Sequence, residues 1–255
     1  QLVGVPVAAV YANNVFTASA TLTDTLTSNP VDGKTIAFVY SGTTRNGTTG
    51  ASNPAGMATA TFDAGSSSGT YNFTAQFAGD ASYGPISDNT NAVLVNPRPT
   101  SLAAVSMPSV YALAVFTATA TLRDGLTNGT IGGKPVAFVY AGQTKTGNTD
   151  GAGVATYTFD TGSSSGTYGY TATFNADVTY VTSSDTSKTV TVVPRPTTLS
   201  ALNVTGFANE VFTSTATLQD SMSGGLIVGK TVSFVYGGQT KTAVTGAGGV
   251  AVQTF

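Results

Sequence analysis

Apolar and polar residues alternate along much of this chain. In Val15-Phe16-Thr17-Ala18-Ser19-Ala20-Thr21-Leu22, Phe16, Ala18, Ala20 and Leu22 fall on one side and Thr17, Ser19 and Thr21 on the other. A period of two is the mark of a half-buried strand. The pattern returns with Phe116, Ala118, Ala120 and Leu122, and again with Phe212, Ser214, Ala216 and Leu218. A second strand places Ile36, Phe38 and Tyr40 inward, with counterparts Val136, Phe138, Tyr140 and Val232, Phe234, Tyr236. A third carries Tyr71, Phe73, Ala75 and Phe77, matched by Tyr168, Tyr170, Ala172 and Phe174.

Turn residues punctuate these strands at short intervals, as in Asp32-Gly33-Lys34, Gly132-Gly133-Lys134, Asp150-Gly151-Ala152-Gly153 and the runs Gly65 to Gly69 and Gly162 to Gly166. No window has helical periodicity. About seven short strands per repeat, with a turn every 8 to 12 residues or so, predict an antiparallel two-sheet sandwich. Tyr71 and Tyr168 each follow a Gly-Thr step at a strand start, the place of a hydrogen-bonded corner tyrosine in such a sandwich.

The repetition extends to whole domains. Pro97-Arg98-Pro99-Thr100 recurs 97 residues on as Pro194-Arg195-Pro196-Thr197, which predicts domains at 1–96, 97–193 and 194–255. Repeats of this length bury a core of their own, unlike solenoid units. Each Pro-Arg-Pro step joins a last strand directly to the next first strand. Proline fixes φ and restricts its predecessor, so Pro97, Arg98, Pro99, Pro194, Arg195 and Pro196 are expected to form extended, semi-rigid interdomain joints with solvent-exposed arginines. The expected object is an extended rod that gains roughly 35–45 Å per domain. Phe255 aligns with Phe159, so the third repeat is expected to lack its last strands.

Composition narrows the chemistry. The 255 residues contain no Cys, His or Trp, a single Glu at Glu210, and charged residues at only 9%. Disulfides, thiolate sites and His-dependent triads are thereby removed. A net charge of −2 offers no basic surface for nucleic acid. No apolar run reaches membrane-span length, which predicts no span in this chain. Threonine fills roughly one position in six, a β-branched polar residue suited to the wet side of a strand.

Gly-Lys-x-x-x-Phe-Val-Tyr at Gly33–Tyr40, Gly133–Tyr140 and Gly229–Tyr236, Thr149-Asp150-Gly151-Ala152-Gly153-Val154-Ala155 with its relative Thr245-Gly246-Ala247-Gly248-Gly249-Val250-Ala251, and Gly69-Thr70-Tyr71 followed by Phe77 to Tyr83 resemble the bacterial Ig-like domain repeats of surface proteins, adhesins, invasin-like stalks and some phage fibres. The resemblance covers the whole chain. The first repeat departs from it by replacing the Asp-Gly turn with Ala51 to Gly56. The resemblance implies tandem antiparallel Ig-like β-sandwiches in an extracellular or cell-surface stalk or fibre segment, used for spacing, assembly or adhesion. Its expected partners are neighbouring copies of itself, further Ig-like modules, or a glycan or host surface. Two alternatives stand beside this reading: a self-assembling filament or sheath subunit completed by strand donation from a neighbour, and a glycan- or receptor-binding module of a larger secreted protein.

Candidate chemistry is sparse. No catalytic or cofactor-binding constellation is found. Asp24, Asp124 and Asp220 recur at a strand end, where turn-forming residues belong. Calcium is the one metal with candidate ligands, Asp80, Asp88, Asp177 and Asp185, on late loops near the joints; no Asp-x-Asp-x-Asp spacing accompanies them. Lys34, Lys134 and Lys230 recur in register, the placement an isopeptide bond would use, yet each follows a turn glycine with no obvious buried acid partner. Four Asn-x-Thr sequons, beginning at Asn46, Asn72, Asn128 and Asn203, are ordinary in so threonine-rich a chain.

Overall fold

A computed structural model describes residues 1–51 and 54–255. Every regular element among them is a strand. The first repeat holds β1 (Leu2–Val5), β2 (Val10–Tyr11), β3 (Val15–Leu22), β4 (Thr35–Tyr40), β5 (Thr43–Thr48), β6 (Met57–Asp63), β7 (Gly69–Phe77) and β8 (Ile86–Asn96). The second repeats this series with β9 (Thr100–Ala104), β10 (Val110–Tyr111), β11 (Val115–Asp124), β12 (Pro135–Tyr140), β13 (Gln143–Asn148), β14 (Val154–Asp160), β15 (Gly166–Phe174) and β16 (Ser183–Val193). The third has β17 (Thr197–Ala201), β18 (Thr213–Asp220), β19 (Thr231–Tyr236), β20 (Gln239–Val244) and β21 (Val250–Thr254).

Three-stranded sheets run in the orders β1-β3-β6, β14-β11-β9 and β17-β18-β21. Five-stranded sheets run β2-β8-β7-β4-β5 and β10-β16-β15-β12-β13, and the third repeat has the pair β19-β20. The chain is an all-β assembly of antiparallel sandwiches. Two short parallel pairings stand out against that pattern, Val10 with Val95 in β2 and β8, and Val110 with Val192 in β10 and β16. Periodicity alone does not anticipate them, since two residues are too few to carry a pattern.

By contact density the chain divides into two compact units, one of Gln1–Val105, Ala118–Tyr157 and Tyr170–Lys188, the other of Ser106–Thr117, Thr158–Gly169 and Thr189–Phe255. In the first unit, the first repeat encloses a core between its two sheets. Register places Phe16 opposite Phe62, Ala18 opposite Ala60 and Ala20 opposite Ala58. The alanine rows leave room for the large side chains of the facing sheet, Phe38, Tyr40 and Phe73, which are almost wholly buried. Phe16 meets Tyr40 edge-on at 4.8 Å, and the Tyr40 hydroxyl donates to Ala64 O at 2.9 Å, so the buried polar tip is satisfied. Burial raises the Tyr40 pKa, with a smaller push from Tyr71.

Two glycines show where backbone leaves no room for a side chain. At Gly47 in β5 a Cβ would lie 2.3 Å from Thr59 O, and at Gly147 2.2 Å from Thr156 O, so the two sheets approach too closely here for a side chain. Gly56, at φ 76°, keeps its carbonyl 2.9 Å from Leu22 N, as Gly153 does with Leu122 N at 2.8 Å. The first repeat thus keeps this bond although its turn sequence differs. Ser52 and Asn53 of that turn lie outside the described residues.

In the second unit, Ala216, Val232, Phe234 and Ala251 form the buried core of the third repeat, with Ala243 and Phe255 packed against it. Its aromatic trio repeats the first repeat's geometry, with Phe212 edge-on to Tyr236 at 4.7 Å. Leu199 and Tyr236 are 54% and 59% exposed, whereas Leu2 and Tyr40 are 5% and 3% exposed at the matching places.

Candidate functional site

The segment between β8 and β9 is short and internally organised. Pro97 and Pro99 have no N–H, so Arg98 supplies the segment's one backbone donor among these three residues. That N–H donates to Thr179 O at 2.7 Å, and Val181 N donates back to Arg98 O at 2.9 Å. The linker is thereby stitched as an isolated parallel bridge onto the loop before β16.

The Arg98 side chain turns inward. Arg98 is 6% exposed, where the sequence reading expected a solvent-exposed joint residue. Its Nε forms an ion pair with Asp124 Oδ2. Its Nη1 donates to Ala12 O at 3.0 Å and to Asn14 Oδ1 at 2.8 Å, both in the first repeat. Asp124 Oδ1 accepts from Leu126 N at 2.8 Å and Thr127 N at 3.1 Å, which is the turn role its recurrence predicted. Burial pushes the Asp124 pKa up, but the bonds from Arg98 and the two amides outweigh it and hold the group below the ordinary carboxylate range. The bond to Asp124 in turn raises the Arg98 pKa against its own desolvation.

Two more bonds connect the same places. Thr179 Oγ1 donates to Ser66 O at 2.7 Å, and Ser68 N donates to Val178 O at 2.7 Å. Neither Asn14 nor Thr179 stood out in the sequence. The only available signal was the recurrence of Asp124 and Asp220 in step with Arg98 and Arg195.

Arg195 pairs with Asp220 in the same way, and its Nη2 reaches Asp220 Oδ1 at 3.1 Å. Its side chain is 20% exposed, against 7% for Arg98. Ala114 stands where the first repeat has Asn14, and it carries no side-chain acceptor. Pro97 and Pro99 are half-buried, whereas Pro194 and Pro196 are exposed.

The four carboxylates read as calcium candidates are engaged by donors. Asp80 Oδ2 pairs with Lys34 Nζ and Asp177 Oδ2 with Lys134 Nζ, each at 2.6 Å. Two of the recurrent lysines therefore do have acid partners, each about a quarter to a third exposed. Each ammonium also lies 5.3 Å from a ring centroid, Tyr83 and Tyr180 respectively. Asp177 Oδ1 accepts from Thr179 N and Tyr180 N, both at 2.8 Å, and so shapes the loop that meets Arg98. The Lys34 bond is the main cause lowering the Asp80 pKa.

Asp88 Oδ2 accepts from Gly4 N at 2.7 Å and Asn91 Nδ2 at 2.9 Å, while Oδ1 accepts from Thr90 N and Oγ1. Asp185 is arranged alike, with Ala104 N at 3.0 Å and Ser187 N and Oγ at 2.9 and 2.7 Å. The Gly4 amide first, then Thr90, lowers Asp88 to about 2; the Ser187 donors do the same for Asp185, also to about 2. Among the described residues no group of three or more Asp, Glu, His or Cys is gathered as a metal ion would require. The corner tyrosines hold, with Tyr71 OH donating to Ser67 O at 3.0 Å and Tyr168 OH to Ser164 O at 3.1 Å.

Strand order and register define the class as antiparallel Ig-like β-sandwiches. No protein-family model and no curated protein matches the chain. Among solved structures it is similar to bacterial adhesins. The Yersinia pseudotuberculosis adhesin InvE is 19% identical over 94% of this chain and 72% of its own, with a TM-score of 0.42. The Escherichia coli adhesin FdeC is 21% identical over 100% of this chain and 86% of its own, with a TM-score of 0.36. A Ca2+-stabilized adhesin, described as helping an Antarctic bacterium reach out and bind ice, is 15% identical with a TM-score of 0.35; the match covers 100% of this chain, which spans 65% of that one.

Proposed function

We propose that this chain is a non-enzymatic structural protein of the bacterial exterior, a stalk or fibre segment in which Ig-like domains at 1–96, 97–193 and 194–255 follow one another to space, assemble or adhere. The observation that carries this reading is the buried Arg98. A flexible tether keeps its charges in water. Here the linker's only charged side chain is neutralised by Asp124 at the end of β11 and bonded back to Ala12 and Asn14 of the preceding repeat.

Such a joint resists bending, because swinging the repeats apart takes the buried guanidinium away from Ala12 O and Asn14 Oδ1 and breaks the Thr179–Ser66 and Ser68–Val178 bonds. Composition supports the same reading, since a chain without His or Cys has few means of acid–base or thiol chemistry at neutral pH. Its partners under this reading are further Ig-like modules, neighbouring copies, or a glycan or host surface met by strand-end loops. No cofactor is assigned, because the candidate calcium carboxylates already accept from N–H and O–H donors.

The test is single-molecule energy transfer in the full chain, with dyes on cysteines introduced at the exposed Thr59 and Thr146. A single narrow distance is expected, broadening in Arg98→Ala. A broad distribution in the parent chain would overturn the stiff-joint reading.

A further inference from the structure

The chain passes into the first repeat through β1 and leaves through β8, strands that belong to opposite sheets. The entering segment β1–β2 is nevertheless tied to β8 at two levels. At one level Gly4 N in β1 donates to the Asp88 carboxylate in β8 at 2.7 Å. At the other, β2 pairs in parallel with the end of β8, Val10 with Val95 and Tyr11 with Asn96, and Ala12 N donates to Asn96 O at 2.9 Å.

The second repeat rebuilds both ties. Ala104 N donates to Asp185 Oδ2 at 3.0 Å, and Ala112 N donates to Val193 O at 2.9 Å after the Val110 to Val192 pairing. Asp88 and Asp185 are 97 residues apart, the period of the joints. Each carboxylate is oriented by its own strand, through Thr90 and Asn91 or through Ser187, before it reaches the other sheet. This pre-orientation is what a rigid tie needs, since an unsupported aspartate rotates away at little cost.

Tension along the chain pulls β1–β2 and β8 in opposite directions along their lengths. Bonds between parallel strands then load together instead of opening one after another. We propose that Asp88 and Asp185 are tension latches, each clamping the first strand of its repeat against the last strand of the opposite sheet. The proposal rests on the structural reading above, but its test does not depend on the joint.

The experiment is force spectroscopy on the full chain, which has no native cysteine, with handles on cysteines added at the two ends. Asp88→Ala is expected to lower the unfolding force of one repeat, and Asp88→Ala with Asp185→Ala that of two. The Gly4 and Ala104 amides should exchange faster with solvent. Moving the handles to Thr44 and Thr59, which load the first sandwich across its sheets, should leave the force of Asp88→Ala close to that of the parent. Thr90→Val is a milder lesion that keeps the carboxylate, and it should give a smaller loss of the same kind. Unchanged force along the chain, or an equal loss in both pulling directions, overturns the latch. A flexible joint by energy transfer together with a direction-dependent loss in Asp88→Ala would remove the stalk reading and leave the latch standing.

Discussion

Arg98 and Asp124 form an ion pair whose side chains are 7% and 9% exposed, with the arginine placed between two prolines. Breaking one side of such a pair leaves the other charge buried without a partner, a loss of about 3–5 kcal/mol. Arg98→Ala is therefore expected to destabilise the chain by that order. Arg98→Lys should recover only part of it, because an ammonium does not reproduce the fork that spans Asp124, Ala12 and Asn14. Arg195→Ala, at the more exposed counterpart, should cost clearly less. Denaturant unfolding of the three variants checks the ranking.

Leu113 adopts φ 59°, where the first repeat has Asn13 at 60° and the third has Asn209 at 67°. A leucine pays for its Cβ in this left-handed region, and Leu113 is 68% exposed, so it recovers little by burial. Leu113→Asn should raise stability by about 1 kcal/mol. A thermal melt that shifts downward instead would contradict the strain argument.

Gly147 has no room for a methyl group, given a Cβ position 2.2 Å from Thr156 O. Gly147→Ala should cost about 1–3 kcal/mol by forcing β13 away from β14. Gly47→Ala should behave alike. Ala243 occupies the matching place in the third repeat, so Ala243→Gly there is expected to bring no comparable gain.

Acid should loosen the Asp88 and Asp185 ties. Both have folded pKa values of about 2 against an ordinary 3.8, so their contribution is present above about pH 4 and is lost as pH falls through 2. Unfolding midpoints measured from pH 5 to pH 2 should fall along this course. In Asp88→Asn with Asp185→Asn the fall should flatten, and a parallel curve would show that other carboxylates dominate.

Much of the architecture was written in local pattern. Alternation in Phe16 to Leu22, Ile36 to Tyr40 and Tyr71 to Phe77 marks strands and inner sides because each residue's side follows from its neighbours' spacing. Tyr71 and Tyr168 were recognisable for the same reason, their acceptors lying only four residues upstream. The pairing of Lys34 with Asp80 was not, since 46 residues separate them.

The joint shows where local pattern stops. Pro97-Arg98-Pro99 announces itself as a stiff linker, because proline acts on its own backbone and its predecessor's. Whether the arginine faces water or protein depends on Asn14, 84 residues earlier, and on Thr179, far later in the chain. The same holds for Asp88 and Asp185, which look like solvated loop carboxylates until β1 and β9 bring amides to them. Periodicity and turn chemistry are short-range and survive in the bare sequence. Burial of a charge and the donor a carboxylate finds arise only once distant strands are brought together, and here they decide that the recurring Arg and Asp residues fasten the structure.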